Sequence, residues 1–264
     1  MFATARDGAR IGYSLTGKND APRRIALVHS LAMDREFWTP VAQLLSNEAV
    51  ILTMDCRGHG VSDKPQGPYT PAQFADDLAD VMTAVGWESA FCAGASMGGM
   101  AAIAFGQNHA ARCKGLGLFD TTAWYGASAP KDWKDRADKA AAEGLAGLVA
   151  FQKTRWFSDD FRANHAGVVE RCIEIFLRND VAAYVQTCLM LGNADLRAGL
   201  SSMNLPVRIA VGEEDYATPL AMSQFLQQQI PGAPPVHVIK GGRHLTPLET
   251  PDVIANELRT LIRS

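Results

Sequence analysis

Short, nearly unbroken apolar runs alternate with longer segments of helical periodicity along most of this chain. The apolar runs are RRIALVHS (23–30), EAVILTMD (48–55), SAFCAGAS (89–96), CKGLGLFD (113–120), PVRIAVGEED (206–215) and PVHVIKGGRH (235–244). Residues 8–17 read as a further strand. Continuous rather than alternating hydrophobicity is what a strand buried on both faces requires. Between the runs, the spacing predicts helices over 38–46, 97–110 and 221–230, and one starting at Thr70-Pro71 and running to Gly86. Threonine caps that helix and proline suits its first turn. A closing helix over 251–264 gathers Val253, Ile254, Leu258, Leu261 and Ile262 on one face. Strands alternating with helices imply a parallel sheet covered by helices on both sides.

The rhythm breaks between about 121 and 200. That segment predicts helices at 131–152, 159–178 and 180–192 and no buried strand, so it reads as a helical insertion over one end of the sheet. The expected division is a core domain made of 1–120 and 201–264, with residues 121–200 as a helical cap. No internal repeat or low-complexity stretch interrupts this plan.

The chain's 264 residues suffice for one large domain with an insert, and a net charge of −3 leaves no footprint for nucleic acid or an anionic membrane. No apolar run approaches the ~20 residues that span a bilayer, and the N-terminus has no leader pattern. The five cysteines, Cys56, Cys92, Cys113, Cys172 and Cys188, are scattered and odd in number, which suits free thiols in a reducing compartment. A cytoplasmic protein with a small-molecule substrate is expected, with homo-oligomerisation left open.

The chemistry centres on FCAGASMGGM. Gly94-x-Ser96-x-Gly98 lies between a predicted strand and a predicted helix, the context of a nucleophile elbow. A sharp turn there forces strand and helix so close that side chains at 94 and 98 would clash. It also leaves the Met97 N–H free at the helix start to donate to an oxyanion. The motif alone also suits a packing turn or a phosphate-binding loop, although the dinucleotide fingerprint G-x-G-x-x-G is missing.

A serine nucleophile needs a base, and the base an orienting acid. His244 follows a late strand and fits the base. His109 and His165 lie in helical stretches, His237 is inside a strand, His59 sits in a Gly-rich loop, and His29 is placed to buttress the loop beside it. For the acid, Glu213, Glu214 and Asp215 are consecutive, and Asp120 ends the strand after the elbow helix. Spacing alone does not choose among them; Asp215 is favoured. The second oxyanion donor is expected in the loop HSLAMDREFW, at the N–H of Leu31.

Together HSLAMDREFW, DCRGHGVSDKP, GASMGG, GEEDYATP and GGRHLTPLETP, in this order, resemble the α/β-hydrolase family over nearly the whole chain. The resemblance implies a mostly parallel sheet flanked by helices, with a helical cap inserted after the sixth strand. It implies Ser96 as nucleophile, Asp215 as acid and His244 as base, with Glu249, Asp55 and Arg57 in structural roles. Within the family the chain is most similar to the 3-oxoadipate enol-lactonases, through His29-Ser30-Leu31, the cap sequence TRWFSDDF and the segment ADLRAGL. Those enzymes open a lactone that carries a free carboxylate. Ser30 and Arg155 would then contact the substrate, the arginine by a bidentate grip on the carboxylate, and Trp156 and Trp124 would wall the pocket.

His29, where those lactonases often have asparagine, and Asp120-Thr121-Thr122, in place of Asn-Thr-Ala, depart from the pattern. An extra carboxylate at Asp120 would repel an anionic substrate unless it is paired or structural. No metal or organic cofactor is called for. Other readings are a carboxylesterase of another small ester, a C–C bond hydrolase, a cofactor-free haloperoxidase, or a slow-turnover ligand receptor that keeps the triad.

Overall fold

The apolar runs pair into a single eight-stranded sheet of order β1-β2-β4-β3-β5-β6-β7-β8, in a computed structural model that describes residues 1–18 and 20–264. The strands are β1 (Phe2–Thr4), β2 (Arg10–Thr16), β3 (Arg23–Val28), β4 (Ala49–Met54), β5 (Ala90–Ala95), β6 (Cys113–Phe119), β7 (Val207–Gly212) and β8 (His237–Ile239). From β4 to β8 every neighbouring pair is parallel; β1 and β2 join one edge antiparallel. Strands β4 and β5 are buried at every position, which explains their unbroken hydrophobicity.

Helices α1 (Thr39–Leu45), α2 (Pro71–Ala84), α3 (Met97–Asn108), α9 (Leu220–Gln229) and α11 (Pro251–Ile262) flank the sheet, with α1 packed on α11 and α2 on α3; the single turn α10 (Thr246–Glu249) precedes α11. The predicted start of α2 is a full capping box. Gln73 N–H donates to Thr70 Oγ1 at 3.1 Å, and Thr70 N–H donates to Gln73 Oε1 at 2.9 Å. Among the described residues, no helix is long and apolar enough to cross a membrane.

Between β6 and β7 lie α4 (Ala129–Glu143), α5 (Val149–Trp156), α6 (Asp159–Asn164), α7 (Ala166–Leu177) and α8 (Val181–Asn193). The expected helix over 131–152 is thus two. Gly144 adopts φ 71°, a conformation open to glycine at little cost, and turns the chain between α4 and α5. The expected helix over 159–178 also divides, at His165. Two sheet predictions need correction as well. Strand β1 is too short to show a pattern, and the expected strand over 235–244 pairs only at 237–239. Pro234 and Pro235 cannot donate to a ladder, and Gly241 turns the chain at φ 67°.

The loop after β4 is held by buried charges. Asp55 is fully buried, accepts from the N–H groups of Arg35 (2.7 Å) and Val61 (2.9 Å), and pairs with the Arg35 guanidinium. Arg57 forks onto Asp77 of α2 at 2.7 and 2.6 Å and reaches Asp7 at 2.8 Å. His59 is buried, donates from Nδ1 to the Arg57 carbonyl and meets the His29 ring edge-on, at 5.1 Å between centroids. Burial and the neighbouring His29 push its pKa down to about 3.

Removing one partner of a buried, hydrogen-bonded pair strands the other charge. Asp77→Ala is therefore expected to cost about 3–5 kcal/mol of stability, measured by urea unfolding. For His59 the folded pKa lies below the ordinary value of about 6.5. Between about pH 6.5 and about pH 3 the unfolded chain binds the extra proton, so His59 erodes stability as pH falls through that window. The unfolding free energy of His59→Gln should depend on pH less steeply there, by about 1.4 kcal/mol per unit in mid-window. Equal slopes for the two proteins would show that His59 is not held neutral.

Candidate active site

Ser96 sits at the junction of β5 and α3 with φ 53° and ψ −118°, a region that non-glycine residues rarely occupy. Its own N–H donates to the Phe119 carbonyl (2.9 Å), and its carbonyl accepts from Thr121 Oγ1 (2.6 Å) and from the N–H groups of Gly99 and Met100. A Cβ on Gly94 would lie 2.0 Å from the Gly98 carbonyl oxygen, and one on Gly98 would lie 2.1 Å from the Val28 carbonyl oxygen. Both glycines are therefore fixed by contacts with backbone, which cannot yield.

The Ser96 hydroxyl donates to His244 Nε2 at 2.9 Å, and His244 Nδ1–H donates to Asp215 Oδ2 at 2.8 Å. All three side chains are buried. Asp215 sits in the turn after β7, where Oδ1 also accepts from the N–H groups of Ala217 (2.7 Å) and Thr218 (3.0 Å), and Oδ2 from Thr218 Oγ1 (2.8 Å). Burial alone would raise its pKa. The His244 ring and the turn's donors outweigh burial and hold it below the usual carboxylate range.

The rival acids do other work. Asp120 is fully buried behind the histidine loop. Its Oδ1 accepts from the Gly212 N–H (3.1 Å), and its Oδ2 accepts from both the N–H (3.0 Å) and the hydroxyl (2.6 Å) of Thr246. Burial, reinforced by the nearby Asp215 charge, pushes its pKa well up. Glu213 accepts from the Gly241 N–H, and Glu214 pairs with Arg243. Neither reaches His244 within hydrogen-bonding distance.

Of the other histidines, His237 lies in β8 as expected, whereas His109 and His165 fall at helix ends rather than inside helices. His29 Nδ1–H donates to the Ser30 carbonyl and Nε2 accepts from the Cys56 N–H, so the ring braces the loop that carries Leu31. Burial holds it neutral by lowering its pKa. His109 bonds Asp76 and His237 bonds Glu257, both away from Ser96, while His165 stacks on Phe161.

A cleft of ≈ 10 Å³ beside Ser96 and His244 is lined by Ser30, Leu31, Gln152, Arg155, Trp156, Trp133 and Arg136. The last two and Arg155 also line a wider pocket of ≈ 580 Å³, walled by Tyr125, Leu148, Phe151, Tyr216 and Met222. Neither the Leu31 N–H nor the Met97 N–H donates to another group among the described residues. Arg155 and Arg136 are half-buried over aromatic rings: Arg155 lies 5.6 Å from the Phe151 centroid and Arg136 lies 4.9 Å from that of Trp133. Arg136 donates to the Tyr184 hydroxyl, and neither guanidinium forms an ion pair among the described residues. Burial and the adjacent Arg136 charge pull the Arg155 pKa below its ordinary value.

Trp124 is the one expected site residue that lies elsewhere. It bridges to Asp195 and carries the Arg197 guanidinium 3.7 Å from its ring centroid, outside both cavities. The wall is built instead by Tyr125 and by Trp133 and Arg136, three apart on α4. Helical spacing marks that pair as sharing a face, but not which way the face looks.

The histidine loop is clamped to the end of α5. His244 and Leu245 N–H groups both donate to the Trp156 carbonyl at 3.1 Å. Arg243 donates to the Thr154 and Phe157 carbonyls, and Glu249 accepts from the N–H groups of Ser158 (2.7 Å) and Arg243 (2.5 Å).

This sheet, with a strained serine at a strand-to-helix turn and a histidine on a later loop, defines an α/β hydrolase. The chain belongs to the alpha/beta hydrolase family, whose model matches residues 25–257. It is 32% identical to 3-oxoadipate enol-lactonase 1 of Acinetobacter baylyi over 232 residues, spanning 87% of this chain and 85% of that one. The enol-lactonase from Burkholderia xenovorans LB400 superposes with a TM-score of 0.93 at 29% identity, covering 100% of both chains. A thermophilic esterase from Thermogutta terrifontis, solved with malate bound, gives 0.91 at 25% identity, covering 100% of this chain and 97% of that one.

Because Asp120 accepts three bonds from two segments, Asp120→Asn must set an amide N–H₂ against an existing donor. A stability loss of about 1–3 kcal/mol is expected. Thermal unfolding checks this, and an unchanged midpoint would mean that Asp120 does not anchor the histidine loop to β7.

Proposed function

We propose that this hydrolase opens a small carboxylate-bearing lactone, of the 3-oxoadipate enol-lactone kind, through an acyl-enzyme on Ser96. The observation that carries the reading is the pair of guanidiniums, Arg155 and Arg136, lining the cleft beside Ser96 without a carboxylate partner among the described residues. Two half-buried like charges side by side are stabilised by an anion, and arginine suits a carboxylate's two oxygens. The likeness to enol-lactonases supports the choice of ring ester. The esterase solved with malate is consistent with a carboxylate-bearing substrate.

In the proposed reaction, His244 Nε2 takes the proton from Ser96 as Oγ attacks the lactone carbonyl. The N–H groups of Leu31 and Met97 hold the oxyanion, and Asp215 keeps the imidazole in the Nδ1–H form and balances the imidazolium. The ring C–O bond then breaks. The departing enol oxygen takes the proton from His244, and the enol rearranges to the ketone. His244 next deprotonates a water that attacks the acyl carbon, and Ser96 leaves with that proton. Residues 121–200 serve as the cap over the core of 1–120 and 201–264, and the cap's α4 and α5 supply the recognition groups, with Trp156 and Ser30 closing the cleft.

The test is steady-state hydrolysis of 3-oxoadipate enol-lactone beside a neutral p-nitrophenyl ester. Ser96→Ala is expected to lose lactone opening, and Asp215→Asn to fall by about 10⁴ in kcat through the wrong imidazole tautomer. Arg155→Met should raise KM for the lactone at least tenfold while sparing the ester, since one charge-assisted hydrogen bond is worth about 1.5–3 kcal/mol. Ester turnover with no lactone opening in the wild type would discard the substrate and keep the serine chemistry.

A further inference from the structure

On α5, residues 152, 155 and 156 recur at three- and four-residue spacing and so share the helix face turned to Ser96. Arg155 and Trp156 have parts in the proposed reaction; Gln152 has none. Its side chain is 0% exposed, it lines the cleft with Ser96 and His244, and neither Oε1 nor Nε2 has a hydrogen-bond partner among the described residues. A buried primary amide with both ends unpaired is costly, and an apolar residue of the same size would fill the space without that penalty. The amide is therefore placed for something that enters the cleft.

The chemistry of the amide narrows what that is. Arg155 already offers charge to an anion, whereas Gln152 is neutral and offers one acceptor and two donors. Nε2 can donate to any oxygen of an ester, a lactone or a carboxylate. Oε1 needs a donor, and none of those groups has one. Among substituents that a small substrate can carry, the smallest that both donates and accepts is a hydroxyl. We infer that the substrate carries a hydroxyl close to the scissile ester, read by the Gln152 amide, as well as the carboxylate read by Arg155. This rests on the reading that Ser96 attacks a carboxylate-bearing lactone or ester. It narrows that reading to a hydroxyl-bearing member of the class, since the oxygens of an unsubstituted enol-lactone only accept.

Matched pairs test it. The wild-type protein is assayed on 5-oxotetrahydrofuran carboxylates with and without one ring hydroxyl, the hydroxyl placed at each free ring carbon in turn. The same is done with the p-nitrophenyl esters of glycolate and acetate. At least one hydroxylated member should exceed its deoxy partner by about tenfold or more in kcat/KM, because the deoxy compound leaves Oε1 unpaired. In Gln152→Leu and Gln152→Met that ratio should collapse toward one. Ratios near one in the wild type, or a preference that survives both substitutions, would overturn the inference. If no lactone is opened but the glycolate preference exists and depends on Gln152, the lactone reading fails and the hydroxyl reading stands. If the enol-lactone is opened quickly and no hydroxyl preference exists, the reverse holds.

Discussion

The turn at Ser96 is the constraint around which the rest is arranged. Strand β5 and helix α3 approach so closely that the backbone carbonyls of Gly98 and Val28 occupy the space a side chain would need at Gly94 and Gly98. That proximity keeps Ser96 at φ 53°, which costs about 1–3 kcal/mol. The turn is sustained because its surroundings over-determine it. Ser96 is tied by its N–H to β6 and by its carbonyl to Thr121, and β5 is hydrogen-bonded on both sides in the sheet. A strained residue needs such a frame, and a central strand buried at every position supplies it.

A second frame holds the group that faces the serine. The His244 loop does not simply hang from β8, which is only three residues long. Two of its N–H groups close on the Trp156 carbonyl, and Glu249 bridges from Arg243 to Ser158. The end of α5 and the histidine loop are thus one hydrogen-bonded unit. The helix that carries Gln152, Arg155 and Trp156 is placed relative to His244 by the same contacts that place His244 itself. The α5 side chains and the imidazole are geometrically linked for this reason, and a shift of the helix end would be felt at His244.

The carboxylates illustrate how environment divides labour among similar groups. Asp120 and Asp215 are both buried near the histidine loop, and their pKa values move in opposite directions. Asp215 accepts the His244 Nδ1–H and sits in a turn full of donors, so the charge is held. Asp120 has three donors but also the Asp215 charge and complete burial, so the charge is disfavoured. The concern that an extra carboxylate would repel an anionic substrate is answered by position. Asp120 points back between β7 and the histidine loop rather than into the cleft.

Much of this was legible along the chain. Burial on both faces writes itself as an apolar run, and a tight strand-to-helix turn writes itself as glycines around one serine. The parallel sheet, the serine turn with its free Met97 N–H, and a histidine on a later loop follow from such local signals. Three things did not. The choice of acid among Glu213, Glu214, Asp215 and Asp120 depends on which carboxylate faces the imidazole across segments far apart in sequence. The breaks at Gly144 and His165 turn on single backbone torsions that periodicity smooths over. The pocket wall is Tyr125, Trp133 and Arg136 rather than Trp124, and Gln152 lies in the cleft with no partner among the described residues. A helix pattern states which residues share a face, but what that face meets is decided only when distant parts of the chain pack against it.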